Sequence, residues 1–481
     1  MDKNSPALEH HLRRNAVGAL EAGFMGITHS SIAADAASLL IGAVAFALGA
    51  LPLAMLIGLV IYVLILNVNY QLSKRITSAG GYYTYVTKAF GGHTGLYALW
   101  GDSIFEIYAF SLFGALGFAT TIFYYFPGVS SIRFIWVPIF LGVLAVQYFI
   151  AYRGIIVSIR FMFITAGAEV LFLSISSLVI LLKTGFAGIP TSFSLVPVHY
   201  SGTLLLFGAL FAAFSLTGTV APVSLGHEIK RPTRNLPLAL VAAFLIAGIT
   251  IMLVSMALVS GWGIGNMASF ATYANPGQIV WTKWLGSVGG ILFAVFVLNS
   301  YFGVGIAAQT DISRMWFAAA KEGMLLPSSF GRVHPKYKSP NVILTWIFVI
   351  SIIVTLPVAL WLGPLNATIV FAIPASLAWL SYKLLTAISV PVIVRKMKDK
   401  VKIITHIVLP ATLIIFIGLL IYSTVVPIPP PPSLYGLIAY PILLIAGAVV
   451  AEIFLKKHKN SVKNAGSYII TKDDEEEVEA K

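Results

Sequence analysis

Apolar stretches of about twenty residues, the length that crosses a bilayer as a helix, recur almost from end to end of this 481-residue chain. Short connections separate them and hold most of the charge. In lipid every backbone N–H and C=O must be satisfied within the protein, so the pattern predicts an all-α polytopic membrane protein. A window of that length places twelve spans, at 16–47, 52–73, 94–126, 134–152, 156–182, 203–229, 236–260, 286–318, 341–362, 366–394, 403–426 and 434–455. An amphipathic lead-in at 82–90 precedes span 3, and the proline run at 427–432 reads as polyproline II. Only 10% of residues are charged, against roughly a quarter in a soluble protein of this size. The net charge of +13 lies in loops and not on one face of a soluble domain, so it implies no nucleic-acid partner. The chain has no cysteine, which excludes disulfides and cysteine-ligated metals. The first span follows Arg13 and Arg14 without a small-residue cleavage site, so it reads as a span and not a cleaved signal.

Loop charge sets the orientation. Connections on the N-terminal side hold Lys74, Arg75, Arg153, Lys230, Arg231 and Arg234, with further basic runs within 321–338, 395–402 and 456–459. The opposite loops hold only Arg133, Lys183 and Lys283. Basic loops stay cytoplasmic, which predicts a multi-pass plasma-membrane protein with both termini inside. The expected organisation is a cytoplasmic segment 1–15, a five-span set 16–182, a second set 203–394, spans 11 and 12 at 403–455, and a cytoplasmic tail 456–481. The acidic stretch at 473–477 reads as a solvated end.

Two spans are interrupted. Span 6 carries Thr217, Gly218 and Thr219 ahead of Pro222, all poor helix continuers. Span 1 is over-long and carries Gly23 and Gly26, then Thr28, His29, Ser30 and Ser31. Ser and Thr hydroxyls can back-bond to their own helix, but a run of four polar residues asks for more. Spans 1 and 6 open two successive five-span sets, and an odd number of spans forces the second set to insert upside down. Matched interruptions in such sets point to a transport site on inverted repeats. Unwinding is expected at 27–31 and 216–221.

Three loop motifs then carry a family likeness: Ser78-Ala-Gly-Gly-Tyr-Tyr-Thr-Tyr85 before span 3, Gly226-His-Glu-Ile-Lys-Arg-Pro-Thr-Arg-Asn-Leu-Pro237 after span 6, and Asp311-Ile-Ser-Arg314 with Ala320-Lys-Glu-Gly-Met-Leu-Leu-Pro327 at the end of span 8. With them the chain resembles the amino acid–polyamine–organocation superfamily of permeases over about residues 12–395. The resemblance implies a midplane site between a bundle of spans 1, 2, 6 and 7 and a scaffold of spans 3, 4, 8 and 9. It places a substrate carboxylate against the backbone of Gly26, Ile27, Thr28, His29, Ser30 and Ser31. The amine would meet carbonyls of Phe214, Ser215, Leu216 and Thr217, with Gly218 and Thr219 in the break and Phe105 or Tyr108 in the side-chain pocket. Where many members read Gly-Phe-Glu, this chain reads Gly218-Thr219-Val220. The missing acid favours a neutral amino acid; a polyamine or cationic substrate is the alternative, since Asp35 and Glu106 remain nearby.

Ionisable groups inside spans are expensive and mark function by default. Asp102 and Glu106 share one face of span 3, with Asp102 expected at the interface. Glu169 lies mid-span in helix 5, where the family often carries Lys or Glu, and is either a structural carboxylate or the coupling or conformation-sensing group of proton symport. Thr310 and Asp311 lie where a sodium site between spans 1 and 8 would fall, or Asp311 simply pairs with Arg314. No clustered nucleophile, base or metal set supports an intramembrane enzyme, nothing suggests a channel filter or receptor, and no cofactor is expected. The predicted function is secondary active transport of neutral amino acids by alternating access with a proton as coupling ion, sodium being the alternative ion and a polyamine or cationic amino acid carrier or exchanger of the same fold the alternative function.

Overall fold

The computed structural model describes residues 11–324, 328–426, 428–457 and 459–470. Among these residues it is all-helical, with two isolated β-bridges in place of any strand. Ten helices are long and apolar enough to cross a membrane, and Trp136–Tyr152 is a shorter apolar one. The first of the ten, Leu39–Ser73, takes in the last segment of the divided span 1, which is built from Ala19–Ser30, Ile32–Ala37 and Leu39–Ala47. A single 3-10 turn, Leu48–Ala50, joins it to span 2, Leu51–Ser73. The long helix Pro276–Lys321 is two helices merged at Gly286, whose φ of 73° no other residue type adopts readily. Span 8 proper starts after that kink, as its sequence boundary anticipated.

The lipid-facing surface follows from helical periodicity. On span 5, Ile164, Leu171, Ile175 and Leu182 are exposed while Met162, Ala166, Glu169, Leu173 and Ile180 are buried. An apolar stripe outside and mixed small, polar and apolar residues inside is what a bilayer demands of a packed span. The first segment of span 1 packs on span 7, and the first segment of span 6 packs on span 2. Span 5 packs on span 8, and span 10 packs on span 3. Shifting each partner by five spans exchanges these contacts, as two repeats of one unit require. The expected lead-in is a helix, Gly81–Phe90, and it lies inside the protein. Tyr82, Tyr83, Tyr85 and Val86 are all buried, because span 10 and the end of span 6 pack against it. Pro427 and the acidic stretch at 473–477 lie outside the described residues, and 428–432 carries no helix.

The basic face is closed by both ends of the chain. Near the N-terminus, the N–H groups of Ala16 and Val17 donate to the Glu228 carbonyl at 2.8 and 3.0 Å. Near the C-terminus, Ile470 pairs with Thr77, and the Ser78 hydroxyl donates to the Tyr468 carbonyl at 2.6 Å. The Glu322 carboxylate accepts from the backbone of Gly466 and Tyr468 and from the Tyr83 hydroxyl, at 2.7, 2.9 and 2.6 Å. The His227 ring stacks on Tyr468 with centroids 3.9 Å apart, while its Nδ1 accepts from Ala79 N–H at 2.9 Å. A Cβ at Gly226 would fall 2.3 Å from the Ser78 nitrogen, so only glycine lets these two loops touch. All three family motifs thus meet in one seal.

Burial, aided by Arg14 and His11, lowers the His227 pKa from 6.5 to about 3. The unfolded chain therefore binds one more proton than the folded one between those values. Stability present above pH 6.5 is lost as the pH falls, by about 1.4 kcal/mol per unit. Thermal unfolding of purified protein at pH 7.5, 5.5 and 4.5 should show this slope, and His227→Gln should reduce it.

Candidate functional site

The two interruptions meet. Span 1 stays helical through Ser30 and breaks at Ser31, which is left-handed at φ 47° and ψ 54°. The break is thus narrower than the 27–31 expected, because Thr28 and Ser30 donate back to Phe24 and Gly26 carbonyls at 2.8 and 3.0 Å and hold that turn. Span 6 is α-helical over Gly202–Phe214, turns at Ser215 and Leu216, and continues as a 3-10 helix over Thr217–Leu225 around Pro222. A Cβ on Gly218 would lie 2.3 Å from the His29 carbonyl carbon and the Ser30 nitrogen, and one on Gly26 would lie 3.0 Å from the Thr219 oxygen. The two broken backbones are in van der Waals contact through glycines.

Beside this crossing lies a cavity of about 530 Å³. His29, Ser30, Ser31, Asp35 and Thr217 give it polar groups at the breaks, and Phe105, Tyr108, Phe113, Phe211 and Phe214 form apolar walls. Of the residues expected from sequence, His29, Ser30, Ser31, Phe105, Tyr108, Phe214 and Thr217 line it. Gly26, Ile27, Thr28, Ser215, Leu216, Gly218 and Thr219 are not among the lining; the Thr219 hydroxyl is turned to its own Leu216 carbonyl at 2.9 Å. Tyr108 opens a π-helical segment, Tyr108–Leu116, inside span 3. That wider turn, a common mark of functional sites, supplies Tyr108, Ala109 and Phe113 to the wall. Residues of spans 10 and 11, including Ser376 and Ser423, complete the lining and extend it towards the loop before span 12, away from the sealed face. Nothing in the linear pattern marked them.

Glu169 joins the segment beyond the break in span 1 to span 8. Its Oε1 accepts from Ala33 N–H at 3.0 Å and Ser300 Oγ at 2.9 Å, and its Oε2 from Asn299 Nδ2 at 2.9 Å. Three donors suit an ionised, acceptor-only carboxylate, and they include a backbone donor freed by the break at Ser31.

A second polar group lies between spans 1, 3, 8 and 10. His29 Nε2 is 2.9 Å from Glu106 Oε2, and one ligating atom each of His29, Glu106 and Asp311 lie within 4.8 Å of one another. Asp102, one turn before Glu106, is fully buried within the protein, and both its oxygens lack a partner. Asp311 does not pair with Arg314. Arg314 Nε instead binds Glu228 Oε2 at 2.7 Å, with both side chains wholly buried, because Glu228 in the turn after span 6 is held at the foot of span 8. Arg314 Nη1 also donates to the Thr310 carbonyl at 3.1 Å, while Thr310 Oγ1 and Asp311 Oδ1 are buried without partners. Lys383 of span 10, 2% exposed, was missed from sequence. Its ammonium lies 3.6 Å above the Tyr82 ring and 5.0 and 5.3 Å from Tyr382 and Trp379. The rule that finds Glu169, an ionisable residue within an apolar span, would have found Lys383 too.

With this geometry in view, comparison with known proteins is direct. A family model for amino acid permeases matches residues 21–448. The chain belongs to the amino acid permease family, within the superfamily its loop motifs resemble. It is similar to an uncharacterised transporter of Rhizobium meliloti (strain 1021), 27% identical over 265 residues, covering 51% of each chain. It is also similar to the serine/threonine exchanger SteT of Bacillus subtilis (strain 168), 26% identical over 300 residues, 60% of this chain and 64% of that one. To the branched-chain amino acid permease BcaP of the same organism it is 30% identical over 154 residues, 30% of each chain. Each match spans less than two thirds of the relative. The three relatives are named as a transporter, an exchanger and a permease.

Gly218→Val should separate the two breaks. Overpacking of this kind costs about 1–3 kcal/mol, so purified variant should melt earlier and lose stabilisation by any bound amino acid in a thermal-shift assay.

Proposed function

We propose that this protein is a secondary active transporter of neutral amino acids, coupled to protons and working by alternating access in the plasma membrane with its basic face cytoplasmic. The observation that carries the reading is the contact of the two broken helices beside a largely apolar cavity whose polar groups cluster at the breaks. One carboxylate, Asp35, lines the cavity, and one acid matches the single α-amine of an amino acid. The backbone around Ser30 and Ser31, at the break and on the cavity wall, supports a substrate carboxylate there. Phe105, Tyr108, Phe113 and Phe214 favour an apolar side chain, since burying apolar surface contributes roughly 25 cal/mol per Å². The cavity extends away from the sealed face, which fits a state open to the outside.

The experiment is counterflow in proteoliposomes loaded with unlabelled solute. Labelled leucine or isoleucine should exchange faster than serine, and putrescine should compete least. Putrescine outcompeting every neutral amino acid would favour the polyamine reading, for which Asp35 is the supporting observation. Absence of exchange with any amino acid would overturn the transport reading.

Glu169 acts in this scheme as the conformation-sensing group, because its one carboxylate holds Ala33 beyond the break and Asn299 and Ser300 on span 8. Glu169→Gln places an amide donor among those donors. Counterflow and gradient-driven uptake should then slow together, by about tenfold for each 1.4 kcal/mol added to the barrier.

A further inference from the structure

We infer that the coupling proton loads onto one buried constellation, His29, Asp102, Glu106 and Asp311 around Lys383, with His29 as its mouth on the substrate cavity. The inference rests on the proton-symport reading and assigns the proton a place that reading leaves open.

The first support is position. His29 lines the cavity and at the same time contacts Glu106 at 2.9 Å. Asp311 lies within 4.8 Å of both. The first segment of span 1 packs chiefly on spans 6 and 7 and also meets span 8, whereas spans 8 and 10 each pack on span 3. The constellation therefore straddles the boundary that alternating access must move. Its occupancy bears unequally on the two conformations, which is the requirement for coupling.

Charge is the second support. Asp102, Glu106 and Asp311 set three carboxylates against one ammonium, Lys383, and none of the four is more than 2% exposed. Unpaired buried charges cost several kcal/mol each. Two further positive charges remove the excess, one on the His29 imidazole and one as a proton on an acid. Lys383 is held by the rings of Tyr82, Tyr382 and Trp379, within electrostatic reach of all three carboxylates. It is the cationic side chain set against these three carboxylates.

Unused hydrogen-bonding capacity is the third. Both oxygens of Asp102, Oδ1 of Asp311 and Nδ1 of His29 are buried without partners. A carboxylate only accepts, but a protonated acid also donates, so adding a proton supplies this group with a donor it lacks. Transfer from imidazolium to Glu106 breaks the Nε2–H bond and forms an O–H bond, leaving a neutral ring on the cavity. Other titratable groups nearby are otherwise engaged or distinct. Tyr82 donates to the Val220 carbonyl, Arg314 is committed to Glu228, and Glu169 is held by its three donors. Asp35 lines the cavity itself.

One imidazole and two carboxylates also suit a divalent transition metal. The Lys383 ammonium, within electrostatic reach of the group, opposes a divalent ion there, so the proton is the better occupant.

The test compares wild type with Glu106→Gln and Asp311→Asn in proteoliposomes, using labelled leucine and an internal pH-sensitive dye. Both variants should keep counterflow at equal pH within about threefold, while accumulation driven by an inward proton gradient and leucine-induced proton influx fall by about tenfold or more. Glu106→Asp should restore part of both. Wild type that exchanges leucine but shows no proton-driven accumulation overturns the symport reading and the inference with it. Wild type that is proton-driven, with variants equally driven, overturns the inference alone. Variants that lose leucine-induced thermal stabilisation together with counterflow mark the constellation as structural, which also overturns it. So does transport that a chelator abolishes and zinc or manganese restores, since the occupant is then a metal ion.

Discussion

A helix interrupted inside a membrane survives only where other groups take up the backbone donors and acceptors it releases. This protein meets that demand with side chains from neighbouring spans. Glu169 accepts the N–H of Ala33 beyond the break in span 1. The hydroxyls of Tyr62 and Tyr82 donate to the carbonyls of Thr217 and Val220 in span 6, both at 3.2 Å. Gly218 and Gly26 then let the two interrupted backbones touch. The cavity exists because these supports hold the breaks open on one side and pack them on the other.

The same crossing organises the charges. Arg314 and Glu228 form a complete, wholly buried pair at the foot of the molecule. Removing either partner of such a pair leaves an uncompensated charge and costs about 3–5 kcal/mol. The group above it, around His29 and Lys383, is incomplete, with carboxylate oxygens that make no well-formed hydrogen bond. One arrangement fits a fixed closure, and the other fits a place where charge is added and removed. The two lie on neighbouring turns of span 8, at Arg314 and Asp311, so closure of the basic face and occupancy of the constellation share one rigid helix.

The loop motifs that carry the family likeness turn out to be a structural seal. Ser78, Gly226, His227, Glu228 and Glu322 belong to those motifs, and each touches another motif or a chain end. The C-terminal stretch from Gly466 to Ile470 closes over them. Opening this face therefore requires parting the chain ends as well as the spans.

Hydropathy, loop charge and breaker residues determined the solvent, the twelve spans and the two interruptions, because lipid acts on each segment separately and helical hydrogen bonds are local. The Ser31 break fell within its expected stretch, yet only the structure showed that Thr28 and Ser30 keep the preceding turn helical. Which side chains share a site was a different matter. His29, Glu106, Asp311 and Lys383 lie on four spans, separated by tens to hundreds of residues. Their meeting depends on how far each helix is rotated and where it crosses its neighbours. Arg314, three residues from Asp311, is bound instead to a glutamate 86 residues away. No periodicity in one span encodes the angle of another, so tertiary packing alone decided these partnerships.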